Sequence, residues 1–447
     1  MQFAVSKMVI TPNEPVYMAG FGNRTEKSTG VHDDIYAKAV LLVANQPLLL
    51  LTLDMLGGDR SFIHGIKETL YALFELKAEQ ILINFSHTHG SVYATGEHYP
   101  ELRKGRYSMG NGVGIDLDIH NPDHYSEDIA YYHMLKETLV GLVRKCYEGL
   151  EEGELQLAVG TTELSVSRRL PTDNGIQWAP NFAEEIDKEL TVMKLINAEG
   201  KLRGILFSHG CHPTSMNNRE ISAEFVGHAC VCLEKQYEGA TAIFLQGCGA
   251  EIKPVASVDG TVFKLCTFEE MELAGQTFAL EVSDMIAHAD FRTIEPSFQT
   301  KLLDVLLYTE EANIADYERE LNDPDVHEVK KDILRQLIHW IQTGTAKERL
   351  PMYIAIWQLD DTTRLVALEG EISTKYSLMI KQLLRNYTTI VLGYSNGVST
   401  YISTRKMIAE GGYEADRAPK AHKFRASFIP EIEDIIIGSI AKAEWID

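Results

Sequence analysis

Ile81-Leu-Ile-Asn-Phe-Ser-His-Thr-His-Gly90 is the stretch on which the fold turns. Its first half, Ile81 to Phe85, is an apolar, β-favouring run, the pattern of a strand buried in a sheet. Its second half is abruptly polar. In α/β sheets, ligands gather where strands end. Alternate residues of an extended segment share a side, so His87 and His89 can face one pocket. Imidazole is the commonest protein metal ligand and the usual general base. A His-x-His pair also occurs in solvated loops and as hydrogen-bonded structural histidines.

The same design recurs further along. Gly204 to Ser208 reads as a strand and ends in His209-Gly-Cys-His-Pro-Thr-Ser215. Ala242 to Leu245 is another, ending in Gln246-Gly-Cys-Gly-Ala-Glu-Ile-Lys-Pro254. Each is an apolar strand followed by a polar, glycine-containing loop. Around them the chain alternates. Tyr36 to Val43 and Leu48 to Asp54 predict a hairpin, and Ile63, Ile66, Leu70 and Leu73 recur at helical spacing. A loop rich in Gly, Tyr and His runs from Gly90 to about Tyr125, longer than a simple connection needs. A helix is expected from Ser126 to about Leu150, with Ser126 as its cap. Strands follow at Leu155 to Val159, Glu163 to Ser167 (leading into Arg168-Arg169-Leu-Pro171) and Leu190 to Ile196. Thr267 and Glu270 have capping-box spacing ahead of a helix running to His288. Between about 308 and 349 helical periodicity and charge dominate, broken at Asn322-Asp-Pro324. This predicts a helical insert serving as a lid, an interface or a solvated element. Strands near Tyr353 to Leu359, Arg364 to Leu368 and Thr389 to Leu392 and a last helix from about Pro430 complete the pattern. The expected fold is α/β: one large domain over 1–447, with mixed β-sheets flanked by helices and a metal site at strand ends.

Composition narrows the function. The 447 residues are 45% hydrophobic, enough for a substantial core, and carry a formal net charge of −22. Nucleic-acid binders need a basic face, so no nucleic-acid partner is expected. No apolar run approaches the length of a membrane span, and the N-terminus does not read as a secretory signal. The six cysteines are sparse and irregularly spaced, the pattern of reduced thiols. The expectation is a cytoplasmic protein; a homo-oligomer stays open.

Candidate ligands stand at several predicted strand ends. His212 precedes Pro213, whose ring restricts it to extended geometry and holds the imidazole in place. Glu371 lies in Leu368-Glu-Gly-Glu-Ile-Ser373 after an apolar strand. Tyr401 lies in Gly393-Tyr-Ser-Asn-Gly-Val-Ser-Thr-Tyr-Ile-Ser-Thr404. Taken singly, His212 also reads as a packed histidine, Glu371 as a helix-start carboxylate and Tyr401 as core.

In chain order these motifs resemble the neutral/alkaline ceramidase family of zinc amidases. Ile10-Thr-Pro12 with Gly20-Phe-Gly22 is similar to its N-terminal loop, and Gly30-Val-His-Asp-Asp-Ile-Tyr-Ala-Lys38 to its next signature. Ser86-His-Thr-His89, His212-Pro-Thr-Ser215, Gly370-Glu371, and Tyr401-Ile-Ser-Thr404 with Tyr413-Glu414 match in turn. The resemblance implies zinc bound by His87, His212, Glu371 and Tyr401, with catalytic and substrate contacts from His89, Arg168 and Tyr413. The implied chemistry is cleavage of a carbon–nitrogen amide bond by a zinc-activated water. His89 would move the proton or bond the oxyanion.

The sequence departs from the family at three points. Its ceramidases carry a serine in a Gly-Asp-Val-Ser-Pro loop, whereas here the loop is Ala250-Glu-Ile-Lys-Pro254 and Lys253 takes the serine position. That favours the activated water over an acyl-serine. Lys253 would attract a carboxylate or phosphate, unless it is simply a surface lysine. No export signal is read at the N-terminus, and the expectation is a catalytic domain without the family's C-terminal sandwich domain. The expected substrate is therefore a small soluble amide. Three other readings remain: ester or lactone hydrolysis at the same zinc, a two-metal phosphoesterase using Asp54 and Glu251 with the histidines, and a catalytically silent zinc-binding member acting through protein interaction.

Overall fold

The computed structural model describes residues 1–22, 24, 26–95 and 126–443. The loop expected from Gly90 to about Tyr125 lies, from residue 96 onward, outside these. The decisive stretch is a strand, Ile81–Phe85, at one end of a large mixed sheet. From that end the order is Ile81–Phe85, Pro47–Leu53, Tyr36–Val43, Gln2–Val9, Glu151–Thr161, Glu189–Asn197, Leu202–His209 and Thr241–Gln246. The short strand Arg292–Thr293 pairs with Glu151–Thr161.

Strand alternation builds the layers. Ala37, Ala39, Leu41, Leu49, Leu51, Leu53, Ile81, Ile83 and Phe85 join one core with residues of the helices Arg60–Phe74 and Ser126–Glu148. At the other end of the sheet, Val192, Phe207 and Phe244 pack against the helices Glu224–Gln236 and Phe268–His288. The intervening residues Val40, Leu42, Leu48, Leu50, Leu82, Met193, Leu206 and Ile243 face the opposite way. There they meet Ala355, Trp357, Leu365 and Ile390. Those belong to a second sheet of four strands, Gln299–Tyr308, Arg349–Asp360, Thr363–Leu368 and Thr388–Leu392. Its outer residues, including Ile354, Ile356, Val366 and Val391, pack on the helices Thr374–Leu383 and Ile432–Lys442. The result is helices, sheet, sheet, helices, in agreement with the expected α/β class of sheets flanked by helices. Among the described residues no helix is long and apolar enough to cross a membrane.

This arrangement gathers strand ends. Pro47–Leu53 runs parallel to Ile81–Phe85, Leu202–His209 to Thr241–Gln246, and Thr363–Leu368 to Thr388–Leu392. Asn84 ties them together. Its Nδ2 donates to the carbonyls of Gln246 (3.2 Å) and Gly393 (2.9 Å), and its Oδ1 accepts from the Gln246 amide at 2.8 Å. The carboxyl ends of both sheets therefore open onto one locus.

Most predicted elements appear close to their expected bounds. The helix Phe268–His288 begins with the reciprocal box, the Glu270 amide donating to Thr267 Oγ1 (3.3 Å) and the Thr267 amide to Glu270 Oε2 (3.0 Å). The insert forms two helices, Ile314–Leu321 and Glu328–Gln342, on either side of Asn322-Asp-Pro324. They have a small core of their own around Tyr317, Leu334, Leu337 and Ile338. One segment differs. Arg168-Arg169-Leu-Pro171, read as leading out of a strand, lies inside Ser165–Thr172, which forms a hairpin with Gly175–Asn181. The far strand escaped notice because Gly175, Pro180 and Asn181 break any apolar alternation.

Candidate metal centre

His87 leaves the strand with φ of 63°, a left-handed conformation that histidine enters more readily than most residues. The turn is held by backbone bonds from the Ser86 amide to Leu53 O and from the His87 amide to Met55 O, both 3.0 Å. Gly90 passes so close to the backbone at Ser222 that a Cβ there would lie 2.3 Å from Ser222 O. The His89 amide donates to Pro213 O at 3.1 Å, which locks the first histidine motif onto the second. Glu371 and Tyr401 are register partners on a short parallel pair, Glu371–Ile372 with Tyr401–Ile402. All four candidate ligands expected from the sequence are buried, and so are His89 and Arg168.

Hydrogen bonds fix which ring nitrogens point inward. His87 Nδ1 donates to Leu56 O at 2.5 Å, and His212 Nδ1 to Gly249 O at 3.2 Å. Carbonyls only accept, so each Nδ1 carries the proton and each Nε2 presents a lone pair. Those lone pairs converge on one carboxylate oxygen: Glu371 Oε2 lies 3.3 Å from His87 Nε2 and 3.5 Å from His212 Nε2. Among the described residues His212 Nε2 and Glu371 Oε2 are buried without a hydrogen-bond partner. A proton shared between His87 and Glu371 would satisfy one contact and leave His212 unanswered. A metal cation would satisfy all three acceptors, so the donor set fits such an ion. His89 is closer than its expected proton-moving role requires. Its Nε2 is 3.3 Å from His87 Nε2, and donor atoms of His87, His89 and His212 lie within 4.8 Å of one another.

Burial is the main influence on the ionisable groups. It holds His89 and His212 neutral, well below the ordinary imidazole value, with neighbouring histidines and Arg168 adding to the effect. Burial works against the charge on Glu371, and a hydrogen bond from Tyr401 favours it. Tyr401 is held well above the usual phenol value by burial and by Glu371.

Beside the histidines, Arg168 sends Nη2 to the Tyr401 hydroxyl at 3.2 Å. Its Nε donates to Glu414 Oε1, while Arg169 Nη1 takes Glu414 Oε2, each at 2.8 Å. The two arginines thus divide: Arg168 reaches the site, and Arg169 continues to Glu410 and Gly411 O. The Tyr413 ring lies 5.3 Å from that of Tyr401, and Trp178 covers Arg168 at 4.2 Å.

Four other residues take places the sequence reading had not assigned. Glu414 appeared only as part of a motif. Tyr394 is fully buried, with its ring 4.4 Å from that of His87 and its hydroxyl 3.4 Å from His212 Nδ1. Gly20, at φ of 97°, lets the N-terminal loop close over the site, since a Cβ there would lie 2.4 Å from His89 Nδ1. Arg24 donates to His89 O at 2.5 Å. Two expectations change. Lys253 is 5% exposed and bonded to Thr214, so it is not a surface lysine. Asp54 accepts from the Tyr36 amide, and Glu251 caps the helix starting at Thr374 through Ser373 and the Thr374 amide. The residues suggested for a second metal are thereby engaged elsewhere.

Comparison with known proteins agrees with the ceramidase-like motifs. No protein-family model matches the chain. In sequence it is 22% identical over 238 residues to a neutral ceramidase of Drosophila pseudoobscura pseudoobscura, and 21% identical over 238 residues to one of Drosophila melanogaster. Each alignment takes in 51% of this chain and 31% of the relative, so the match spans under a third of those longer proteins. In structure, the chain superposes on the neutral ceramidase of Pseudomonas aeruginosa with a TM-score of 0.71 at 15% identity, covering 98% of this chain and 73% of that one. A ceramidase complexed with C2 gives 0.72 at 15% identity, covering 98% and 74%. The fold is that of the neutral ceramidases, and the family resemblance read from the motifs holds.

Proposed function

We propose that this chain, built on the neutral ceramidase fold, is a zinc-dependent hydrolase that cleaves the carbon–nitrogen bond of a small soluble amide. The ion would be held by His87, His212, Glu371 and Tyr401. The observation that carries this reading is the convergence of two imidazole lone pairs on Glu371 Oε2, with His212 Nε2 and Glu371 Oε2 otherwise unpartnered among the described residues. When bound, zinc supplies Lewis acidity and lowers the pKa of a coordinated water towards neutrality.

The remaining work falls to the chain. His89 is buried and neutral, able to accept a proton and return it to the departing amine. Arg168, braced by Glu414, presents its guanidinium at Tyr401, where it can stabilise negative charge developing on the carbonyl oxygen. Tyr413, packed edge-on against Tyr401, would fix the orientation of the substrate. The name of the sequence relatives, neutral ceramidase, supports an amide over other carbonyl substrates.

The test is turnover by the zinc-loaded chain on a panel of short acyl amides and matched esters, with Glu371→Gln and Arg168→Met alongside. Amide cleavage lost in both variants is expected. Turnover undiminished in Glu371→Gln, or confined to esters, would overturn the reading.

A further inference from the structure

Three buried cations act electrostatically on His89, and among the described residues only one of them has an acid partner in contact. Arg168 is paired with Glu414. Arg24, 6% exposed, sends Nη1 to the carbonyls of Ala19 (2.8 Å) and His89 (2.5 Å), while its Nε has no hydrogen-bond partner among the described residues. Lys253, 5% exposed, gives Nζ to Thr214 O (2.9 Å) and Thr214 Oγ1 (3.0 Å). Neither Arg24 nor Lys253 forms an ion pair among the described residues. The carboxylate that influences both, Glu224, is committed elsewhere: it accepts from the Ser215 amide (2.8 Å), the Ser215 hydroxyl and the Met216 amide (3.3 Å).

The backbone ties both cations to one residue. Arg24 binds the carbonyl of His89, whereas the His89 amide binds Pro213 O, next to the Thr214 that holds Lys253. Among the described residues His89 Nδ1 is also buried without a hydrogen-bond partner. Burial draws Arg24 down to about 10 and Lys253 down to about 8, the mark of cations short of a counter-charge. A buried unpaired charge is costly, and a bound anion would relieve two such costs at once.

We propose that Arg24 and Lys253 form an oxyanion-binding subsite beside His89, which takes a carboxylate or phosphate carried by the substrate next to its scissile amide. The inference rests on the hydrolase reading for the word substrate, but the subsite itself does not depend on turnover. It gives Lys253 a purpose where the resembled loop has a serine: a fixed positive charge that selects acylated amino acids or acylated phosphoamines over neutral amides.

The experiment is calorimetric binding to the zinc-loaded full chain at pH 7 with three probes: N-hexanoylglycine, N-hexanoyl-O-phosphoethanolamine and the neutral N-hexanoylglycinamide. One anionic probe should bind roughly ten- to a hundredfold more tightly than the neutral one, the span expected for hydrogen bonds to charged groups. The tighter anion identifies the oxyanion. Lys253→Met and Arg24→Met should each lose most of that preference, and Lys253→Arg should keep it. Equal binding of all three probes by the unaltered chain would overturn the subsite, and this comparison needs no variant to fold. A preference that survives in metal-replete Lys253→Met and Arg24→Met would overturn it as well. Selective binding without cleavage would keep the subsite and remove the hydrolase; cleavage of the neutral probe without anion preference would do the reverse.

Discussion

Glu414→Gln isolates the brace behind the site. Glu414 is the shared acceptor for Arg168 and Arg169, at 2.8 Å to each, with side-chain exposures of 2%, 2% and 6% for Glu414, Arg168 and Arg169. Glutamine keeps the volume but removes the charge, so two buried guanidiniums lose their counter-ion. Breaking a buried pair from one side costs about 3–5 kcal/mol. Glutamine still accepts one N–H bond, so the lower end applies. An unfolding entropy near 2.1 cal/mol/K per residue gives about 0.9 kcal/mol per degree for a chain of 447 residues. The melting temperature should therefore fall by roughly 3–4 °C at pH 7. Glu410→Gln is the control. That pair is longer, 3.3 Å, and its carboxylate is 28% exposed, so the cost should stay below about 1 kcal/mol. The pH dependence has a definite sign. Burial opposes the charge on Glu414, but the two arginines hold its carboxyl below the ordinary 4.5. A depressed carboxylate stabilises above its unfolded pKa, and that contribution fades as pH falls through the folded value. The gap between Glu414→Gln and the unaltered chain should be full at pH 7 and narrow below about 4.5. Scanning calorimetry across that range measures it. A variant melting within about 1 °C of the unaltered chain at pH 7 would show that Glu414 does not brace the two arginines.

Three further expectations concern other parts of the molecule. Gly20→Ala places a Cβ 2.4 Å from His89 Nδ1 at a φ of 97°, so it should destabilise by about 1–3 kcal/mol and depress turnover beyond that loss; normal kinetics would show that the N-terminal loop does not position His89. Burial pushes the Lys67 ammonium down to about 7 from 10.5, so the folded state binds fewer protons than the unfolded one between these values. Stability should then rise with pH across that window and the rise should vanish in Lys67→Met, whereas parallel denaturant curves for the two proteins would contradict it. Tyr394→Phe removes the hydroxyl near His212 Nδ1 but leaves the ring against His87; metal affinity should fall by less than in His212→Ala, as competition with a chelating dye would report.

Local pattern carried a large part of the fold. The apolar run Ile81 to Phe85, the helical spacing from Ile63 to Leu70 and the Thr267–Glu270 box are set by neighbours a few residues apart, and each appears as expected. Asn322-Asp-Pro324 likewise broke the insert into two helices for local steric reasons. What escaped depends on pairing across hundreds of positions. Nothing near Asn84 shows that it will bridge Gln246 and Gly393, so the division into two facing sheets was hidden. Arg168 and Arg169 are chemically identical, and only the strand's alternation aims one at Tyr401 and the other at Gly411. Arg24 and Tyr394 carried no signal, because an arginine in a glycine-rich loop and a tyrosine after a strand are ordinary until His89 and His87 fold against them.

The proposed chemistry depends on the lone pairs of His87 and His212 and the carboxylate of Glu371 forming a metal site. The most direct measurement is metal content per chain, by mass spectrometry of protein purified without chelator or added metal, for the unaltered chain and for His212→Ala. Close to one zinc per chain is expected in the first and almost none in the second. Two metals per chain, or zinc retained in full by His212→Ala, would contradict it.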